Sequence, residues 1–95
     1  LSSKKPVRPP EVAVDNKASD FFTIIEVYAP DRVGLLYLIT RTLFDLHLDI
    51  RVAKTGVKGD QIADIFYVCD LEGQKLEDES QADEIKNALL YHLRA

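Results

Sequence analysis

The first apolar runs of the chain predict two antiparallel strands. Apolar and polar residues alternate over residues 11–14, and the turn-forming residues Asp15, Asn16 and Lys17 end that run. Residues 21–28 follow and are rich in Phe, Ile, Thr, Val and Tyr, the side chains that suit a pleated, half-buried surface. Two such runs joined by a turn favour an antiparallel pair of strands.

A helical period replaces this alternation after Pro30. Apolar residues recur at intervals of four, four and three positions: Leu35, Ile39, Leu43 and Leu46. With Leu36 beside them, they predict one apolar face of a helix of about sixteen residues. Asp31 is placed to cap the start of this helix, and His47 and Leu48 end it.

The second half of the chain predicts two further strands and a last helix. Apolar and polar residues alternate over 48–52, and a glycine turn leads into an apolar return run over 61–70. Apart from Asp64, both faces of this run are apolar, so we expect both to be covered. Asp78 or Ser80 caps the last helix. The residues of its predicted inner face recur every three or four positions: Ala82, Ile85, Leu89 and then His92 or Leu93.

The predicted order, β–β–α–β–β–α, is typical of an α+β sandwich with helices on one face of an antiparallel sheet. In a βαββαβ sheet, a C-terminal strand lies antiparallel to the first strand. No strand follows the last helix here, so we expect residues 11–15 to take its place. Residues 1–10 contain three prolines and predict an extended linker, which leaves residues 11–95 as one domain.

The composition excludes several classes of protein. A chain of 95 residues with 46% hydrophobic and 29% charged residues has room for one small globular domain. The uncharged stretch over residues 33–40 is too short to span a membrane. Cys69 is the only cysteine, which excludes a disulfide framework and a paired-cysteine zinc site. The two histidines have no carboxylates at ligand spacing, so we expect no metal site.

The charge distribution argues against nucleic acid as a partner. The formal net charge is −4, and residues 1–10 carry three basic residues and no acidic one. The predicted domain is therefore more acidic than the whole chain and repels phosphate backbones. Because the chain opens with Leu1 and has no secretory signal, we expect a piece of a longer protein, located in the cytoplasm.

Two blocks around the first helix resemble the signature of the ACT domain. Residues 28–36 (YAPDRVGLL) and 46–50 (LHLDI) match a D/N-R-x-G-[LV]-[LV] turn into a helix and an x-[DN]-I entry to a strand. More narrowly, residues 12–19 (VAVDNKAS) and 64–71 (DIFYVCDL) are similar to the C-terminal ACT domain of bacterial PII uridylyltransferases. Val33 is a departure, because that family usually has proline there.

The resemblance implies a ferredoxin-like ACT sandwich that acts as a regulatory domain without a cofactor. Its parent enzyme would add and remove uridylyl groups on the signalling protein PII. The domain would bind L-glutamine or another small amino acid and pair with a second ACT domain, either a tandem copy or a homodimer partner. The family's catalytic motifs are absent: the sequence contains no Asp-x-Asp, and leucine instead of aspartate follows both His47 and His92. We therefore expect no catalytic residue.

The turn before the first predicted helix is the candidate ligand site, although each residue there also has a purely structural interpretation. Asp31 is either a helix cap or a ligand contact, and Gly34 either shapes the turn or lets a ligand approach free N–H groups. Those groups favour a carboxylate, and Asp31 or Asp49 could accept from the ammonium group of an amino acid. The candidate ligand-binding residues are Asp31, Arg32, Val33, Gly34, Leu35, Leu36, Asp49 and Ile50.

A distance argument places this site between two domains. Asp31 precedes the first predicted helix and Asp49 follows it. About sixteen helical residues, rising roughly 1.5 Å each, separate them by roughly 24 Å, which is further than one glutamine reaches. If both residues serve one site, they must come from two neighbouring domains.

The apolar outer face of the strand over 61–70 supports such pairing, because a lone domain would leave this face exposed to solvent. The alternative is that the N-terminal arm or the helices cover it. This face consists of Ala63, Ile65, Tyr67 and Cys69. We expect Asp64 to pair with Arg51 or Lys54 across the sheet, and Cys69 to be a small buried hydrophobe.

Three functions remain open from the sequence. The domain is an amino-acid sensor, a structural module that pairs ACT domains without a ligand, or a docking surface for PII. An enzyme is disfavoured, because no nucleophile and base can be matched in this sequence.

Overall fold

The computed structural model describes residues 8–59 and 61–94 and places them in the predicted order of elements. The strands are β1 (Glu11–Asp15), β2 (Thr23–Tyr28), β3 (Leu48–Lys58) and β4 (Gln61–Asp70), and the helices are α1 (Leu35–Asp45) and α2 (Glu79–Leu93). Residues 8–10 of the predicted linker form neither helix nor strand, and residues 1–7 lie outside the described part. Neither α1 nor α2 combines the length and apolarity needed to cross a bilayer.

The sheet is antiparallel throughout, with the strand order β1-β2-β4-β3. At one edge, β1 lies against β2 with Glu11 opposite Tyr28. This confirms that residues 11–15 take the place of a C-terminal strand, and it confirms the α+β fold class. At the other edge, β3 pairs with β4 and carries a bulge at Arg51, where the register shifts.

The core lies between one face of the sheet and the two helices. Its most completely buried members are Ile25, Val27, Ile39, Leu43, Phe66, Val68 and Leu89. The predicted apolar face of α1 is confirmed at Leu35, which is also buried in this core. Leu36 is the exception, since 57% of it is exposed. Successive residues of a helix are about 100° apart around its axis, which turns Leu36 away from the face that Leu35 presents to the sheet.

Helix α1 begins later than the sequence predicts. Gly34 is its N-cap, with φ 82° and ψ 2°, and no side chain of the described residues caps its first turn. The prediction that Asp31 caps this helix is therefore wrong. Because a residue without Cβ enters the left-handed region with little steric cost, the chain changes direction at Gly34 and the helix starts there.

Helix α1 also ends earlier than predicted, so it has 11 residues. His47 adopts a left-handed φ of 62°, and its backbone N–H donates to the carbonyl of Phe44 at 3.0 Å. This turn closes the helix two residues before the predicted end. In α2 the predicted Asp78 cap is confirmed, because the Asp78 carboxylate accepts from the backbone N–H of Ser80 at 3.0 Å.

Hydrogen bonds join the β1–β2 loop to the segment before α2. The hydroxyl of Thr23, which is fully buried, donates to Asn16 Oδ1 at 2.5 Å and accepts from the N–H of Leu76 at 3.2 Å. Asn16 Nδ2 donates to the carbonyl of Leu76, and Lys75 Nζ donates to the carbonyls of Asn16 (2.7 Å) and Ser19 (3.0 Å). Part of the block over residues 12–19 that carries the family resemblance therefore has a structural role.

Candidate functional site

The turn before α1 leaves the N-terminal end of the helix open. A Cβ atom added at Gly34 would meet no atom within 4 Å, and Val33 beside it is fully exposed. Gly34 is therefore required by its backbone conformation and not by close packing. The N–H of Leu35 donates to the carbonyl of Arg32 at 3.2 Å. No side chain of the described residues caps the helix, so the next N–H groups, those of Leu36 and Tyr37, and the positive end of the dipole are available to an anion.

Asp31 lies in this exposed turn, near a second carboxylate on β4. Asp64 shares the helix side of the sheet with Phe66, and it is partly buried there. Burial raises the pKa of Asp64, and the nearby negative charge of Asp31 raises it further. The predicted pairing of Asp64 with Arg51 or Lys54 is wrong, since neither of these described cations forms a salt bridge with it.

Asp49 and Ile50 lie at the other end of α1. They line a shallow groove of about 450 Å³ together with the exposed aromatic residues Tyr37 and Phe44. The carboxylate of Asp49 accepts a hydrogen bond from Arg51 Nε at 2.7 Å, and this bond raises the pKa of the guanidinium group. Asp49 therefore already has one cationic partner within its own domain.

Helix α1 separates the two groups of candidate residues. Asp31, Arg32, Val33 and Gly34 precede it and Asp49 follows it. The 11 helical residues span about 16 Å at roughly 1.5 Å per residue. The sequence-based figure of roughly 24 Å assumed about sixteen helical residues, whereas α1 begins after Asp31 and ends before His47. A shared ligand site between two domains stays a prediction.

The outer face of the sheet is largely covered by its own side chains. Ala63 and Cys69 are only 2% and 1% exposed, and Tyr67 is half-buried. Lys54 Nζ lies 4.8 Å from the centroid of the Tyr67 ring, and the Phe22 ring meets its edge. The expectation that a lone domain leaves this face exposed to solvent is therefore wrong at Ala63 and Cys69, and Ile65 and Tyr67 are partly buried. The expectation that Cys69 is buried is confirmed.

Exposed apolar side chains gather on α1 instead. Leu36, Tyr37 and Phe44 are 57%, 69% and 69% exposed, and Val33 precedes them in the turn. This surface lies beside β3, which is an edge strand. Sequence reasoning missed Tyr37 and Phe44. The available signal was their spacing of seven residues, which places two aromatic rings on one side of a helix.

Comparison with known proteins agrees with this fold. The family model described as "ACR9-like, ACT-like domain" matches residues 11–95. A bifunctional uridylyltransferase/uridylyl-removing enzyme of Azospirillum brasilense is 45% identical over 85 residues, which is 90% of this chain and 9% of that enzyme. Proteins of the same name are 47% identical over 81 residues in Erythrobacter litoralis, covering 85% of this chain and 9% of that protein, and 34% identical over 87 residues in Pseudomonas putida, covering 92% and 10%.

These relatives set the limits of the identification. The chain spans about a tenth of the length of the enzymes it matches, and no solved structure gives a significant match. The predicted similarity to uridylyltransferase ACT domains is confirmed, and the matched family covers all the helices and strands described above. The chain therefore belongs to the family of ACT-like domains.

Proposed function

We propose that this chain is the regulatory domain of a bifunctional uridylyltransferase/uridylyl-removing enzyme acting on PII, and that it binds a small amino acid, in the first place L-glutamine. The observation that carries the proposal is the uncapped N-terminus of α1 behind Gly34, where a Cβ would meet no atom within 4 Å. The similarity to uridylyltransferases over 85–92% of the chain supports the regulatory role.

The ligand's two charged groups match the groups around this turn. The α-carboxylate accepts from the free N–H groups of α1, and Asp31 accepts from the ammonium group. Asp49 and Ile50 come from a second ACT-like domain, because α1 keeps them away from the turn of their own domain. Binding then controls the enzyme by favouring one arrangement of the paired domains over another, which requires a different affinity for each.

Two glycines of this chain provide a matched test. Gly34 and Gly59 both have a positive φ, 82° and 65°, and a Cβ added at either position would meet no atom within 4 Å. Alanine therefore costs a similar backbone strain at each position, roughly 1 kcal/mol. In calorimetric titrations with glutamine, we expect Gly59→Ala to bind like the unsubstituted chain and Gly34→Ala to bind at least tenfold more weakly. Equal binding by the two variants would contradict the proposal.

Mixing two defective variants tests whether the site is shared between domains. Gly34→Ala and Asp49→Ala should each lose glutamine binding when alone. In an equal mixture, half of the dimers are mixed, and each mixed dimer has one site with an intact turn and an intact Asp49. We therefore expect about a quarter of the binding capacity to return. No recovery would place the site within a single domain.

Pairing of ACT-like domains without a ligand is the second candidate function. It is favoured by the exposed apolar surface of α1 beside the edge strand β3. Sedimentation at increasing protein concentration separates the two candidates. A sensor changes its association or shape when glutamine is added, whereas a purely structural module associates equally with and without it.

A further inference from the structure

Three arginines surround a groove at the N-terminal end of α1, the end opposite Asp49. This groove has a volume of about 450 Å³ and lies between residues 8–10, the turn after β2 and the C-terminal end of α2. It is lined by Arg8, Arg32 and Arg94, whose side chains are exposed, and by apolar residues that include the buried Leu35 and Leu93. We call it the arginine groove.

The arginines of this groove lack the counter-charges that the other arginines have. Arg41 pairs with Asp45 at 3.2 Å, and Arg51 pairs with Asp49 at 2.7 Å. Within residues 8–59 and 61–94, no carboxylate oxygen forms a salt bridge with any of the three groove arginines. Three positive charges are thus grouped on a chain whose formal net charge is −4. An anion bound among them would relieve their mutual repulsion.

The groove combines these charges with an apolar floor. Pro30, Leu35 and Leu93 line it between the arginines, so a ligand that fills it needs an apolar surface as well as negative charge. The planar guanidinium group of arginine matches phosphate oxygens with two parallel hydrogen bonds. The positive end of the α1 dipole lies at the same place, since Leu35 is the first residue of that helix.

We propose that the arginine groove binds a nucleoside phosphate, with the phosphates on the arginines and the flat base against the apolar floor. Inorganic phosphate alone would leave the floor unused, and a short dicarboxylate has no flat apolar face to cover it. The groove is within the range of roughly 300–1,000 Å³ that is usual for small-molecule sites. The acidic charge of the chain as a whole disfavours a nucleic acid polymer as the source of the phosphates.

Backbone hydrogen bonds fix the main chain at two of the three arginines. Arg94 is the C-cap of α2, and its N–H donates to the carbonyl of Leu90 at 3.1 Å. Arg32 precedes α1, and its carbonyl accepts from the N–H of Leu35 at 3.2 Å. These arginines come from distant parts of the sequence, so the site forms only in the folded domain.

Calorimetric titration with ADP, adenosine and inorganic phosphate tests this proposal. We expect the chain to bind ADP at least tenfold more tightly than either fragment, with an affinity that falls as salt is added. Arg8→Gln and Arg94→Gln should each weaken ADP binding at least tenfold. Lys86→Gln changes an exposed cation of α2 outside the groove and should leave ADP binding unchanged. Thermal melting of each variant verifies that it is folded.

Several outcomes would overturn the proposal. They are the absence of ADP binding, ADP binding that survives both arginine substitutions, and inorganic phosphate binding as tightly as ADP. The two sites share Arg32 and Leu35, but the amino-acid site can fail separately, because Arg94 is not part of it and Asp49 is not part of the arginine groove. Arg94→Gln should therefore keep glutamine binding, and Asp49→Ala should keep ADP binding.

Discussion

Thr23 connects three parts of the chain through one hydroxyl group. It is completely buried, and it donates to Asn16 and accepts from the N–H of Leu76. Inside a protein, a polar group that loses its hydrogen-bond partner has no water molecule nearby to take that partner's place. Loss of this hydroxyl therefore leaves buried polar groups of the β1–β2 loop and of the segment before α2 without a partner.

Replacing Thr23 with valine keeps the shape of the side chain and removes these hydrogen bonds. We expect Thr23→Val to lower the free energy of unfolding by about 1–3 kcal/mol, because Asn16 and Leu76 are left with an unpaired group. Urea denaturation measures this loss. Thr55→Val is the matched control on exposed β3 and should change stability by less than about 0.5 kcal/mol. Equal effects at both positions would contradict the structural role of Thr23.

Asp64 makes the stability of the domain depend on pH. Burial first, and then the charge of Asp31, raises its pKa above the ordinary value of 3.8. Between the two values the folded state binds more protons than the unfolded state, so stability falls as the pH rises through this window. The cost is complete above the folded-state pKa of Asp64, where this carboxyl is charged in both states.

Asp64→Asn removes this cost. We expect the variant to melt at a higher temperature than the unsubstituted chain at neutral pH, and at nearly the same temperature well below pH 3.8. Melting curves at a series of pH values measure the difference. Asp83→Asn, in an exposed position on α2, is the control for removing one negative charge. A gain that is independent of pH would show that burial of this carboxylate is not the cause.

At the scale of elements, the two helices begin in different ways. Helix α2 has a side-chain cap, since the carboxylate of Asp78 accepts from the N–H of Ser80, whereas α1 starts at Gly34 without one. The cap satisfies a backbone donor that would otherwise need water. Without such a cap, the N–H groups of Leu36 and Tyr37 in α1 have no side-chain partner among the described residues, and this difference is why we propose a ligand at α1.

The Asp78 cap predicts a local effect on α2. Hydrogen bonds from Ser80 lower the pKa of Asp78 in the folded state. The contribution of this carboxylate to the free energy of unfolding is therefore present above pH 3.8 and is lost as the pH falls through the lowered, folded-state pKa. We expect Asp78→Ala to lower the melting temperature at neutral pH and to have little effect in strong acid. Asp83→Ala, within the same helix, is the control. Circular dichroism at both pH values measures the loss, and equal effects of the two variants would exclude capping.

The sequence pattern predicted elements better than their ends. The apolar period predicted α1 and α2, and the alternation predicted β3, because burial of one face imposes these periods. The run with both faces apolar predicted β4. The sequence predicts that α1 starts at Asp31, because aspartate is a common cap. Which residue begins a helix also depends on backbone conformation, and here the left-handed φ of Gly34 decided it. The structure was needed to see this.

At the scale of the whole molecule, the exposed apolar surface indicates where a second domain would pack in the proposed pair. Tyr37 and Phe44 are each 69% exposed on α1, beside the edge strand β3. The outer face of β4 is already covered by its own side chains, including Tyr67. A second domain would therefore bury more apolar area by packing on α1 than by packing on that face.

This surface leads to a prediction about self-association. If ACT-like domains pair through α1, Phe44→Lys should weaken association at least tenfold, because a charge replaces an aromatic ring at the interface. Sedimentation velocity over a range of concentrations measures the change. Leu71→Lys is the control, since Leu71 is 71% exposed in the loop after β4. Association that is lost in Leu71→Lys but kept in Phe44→Lys would place the contact elsewhere.

The sequence by itself determined the order of the elements, the α+β class and the family. These properties depend on local periodicity and short motifs, such as residues 28–36, which can be read along the chain. The place of β1 at the sheet edge was also predictable, because an order without a C-terminal strand leaves one position open beside β2. The motif over residues 28–36 also predicted the turn at Gly34, but it did not predict that Gly34 is the N-cap of α1.

Only the tertiary structure decided which charged and apolar groups meet. Asp64 lies near Asp31 and not beside Arg51, and Arg8 and Arg94 line one groove although 86 positions separate them in the chain. The sequence pattern gives the face of each strand or helix but not the distance between elements. That distance is set by packing of the whole core, and charge interactions depend steeply on it.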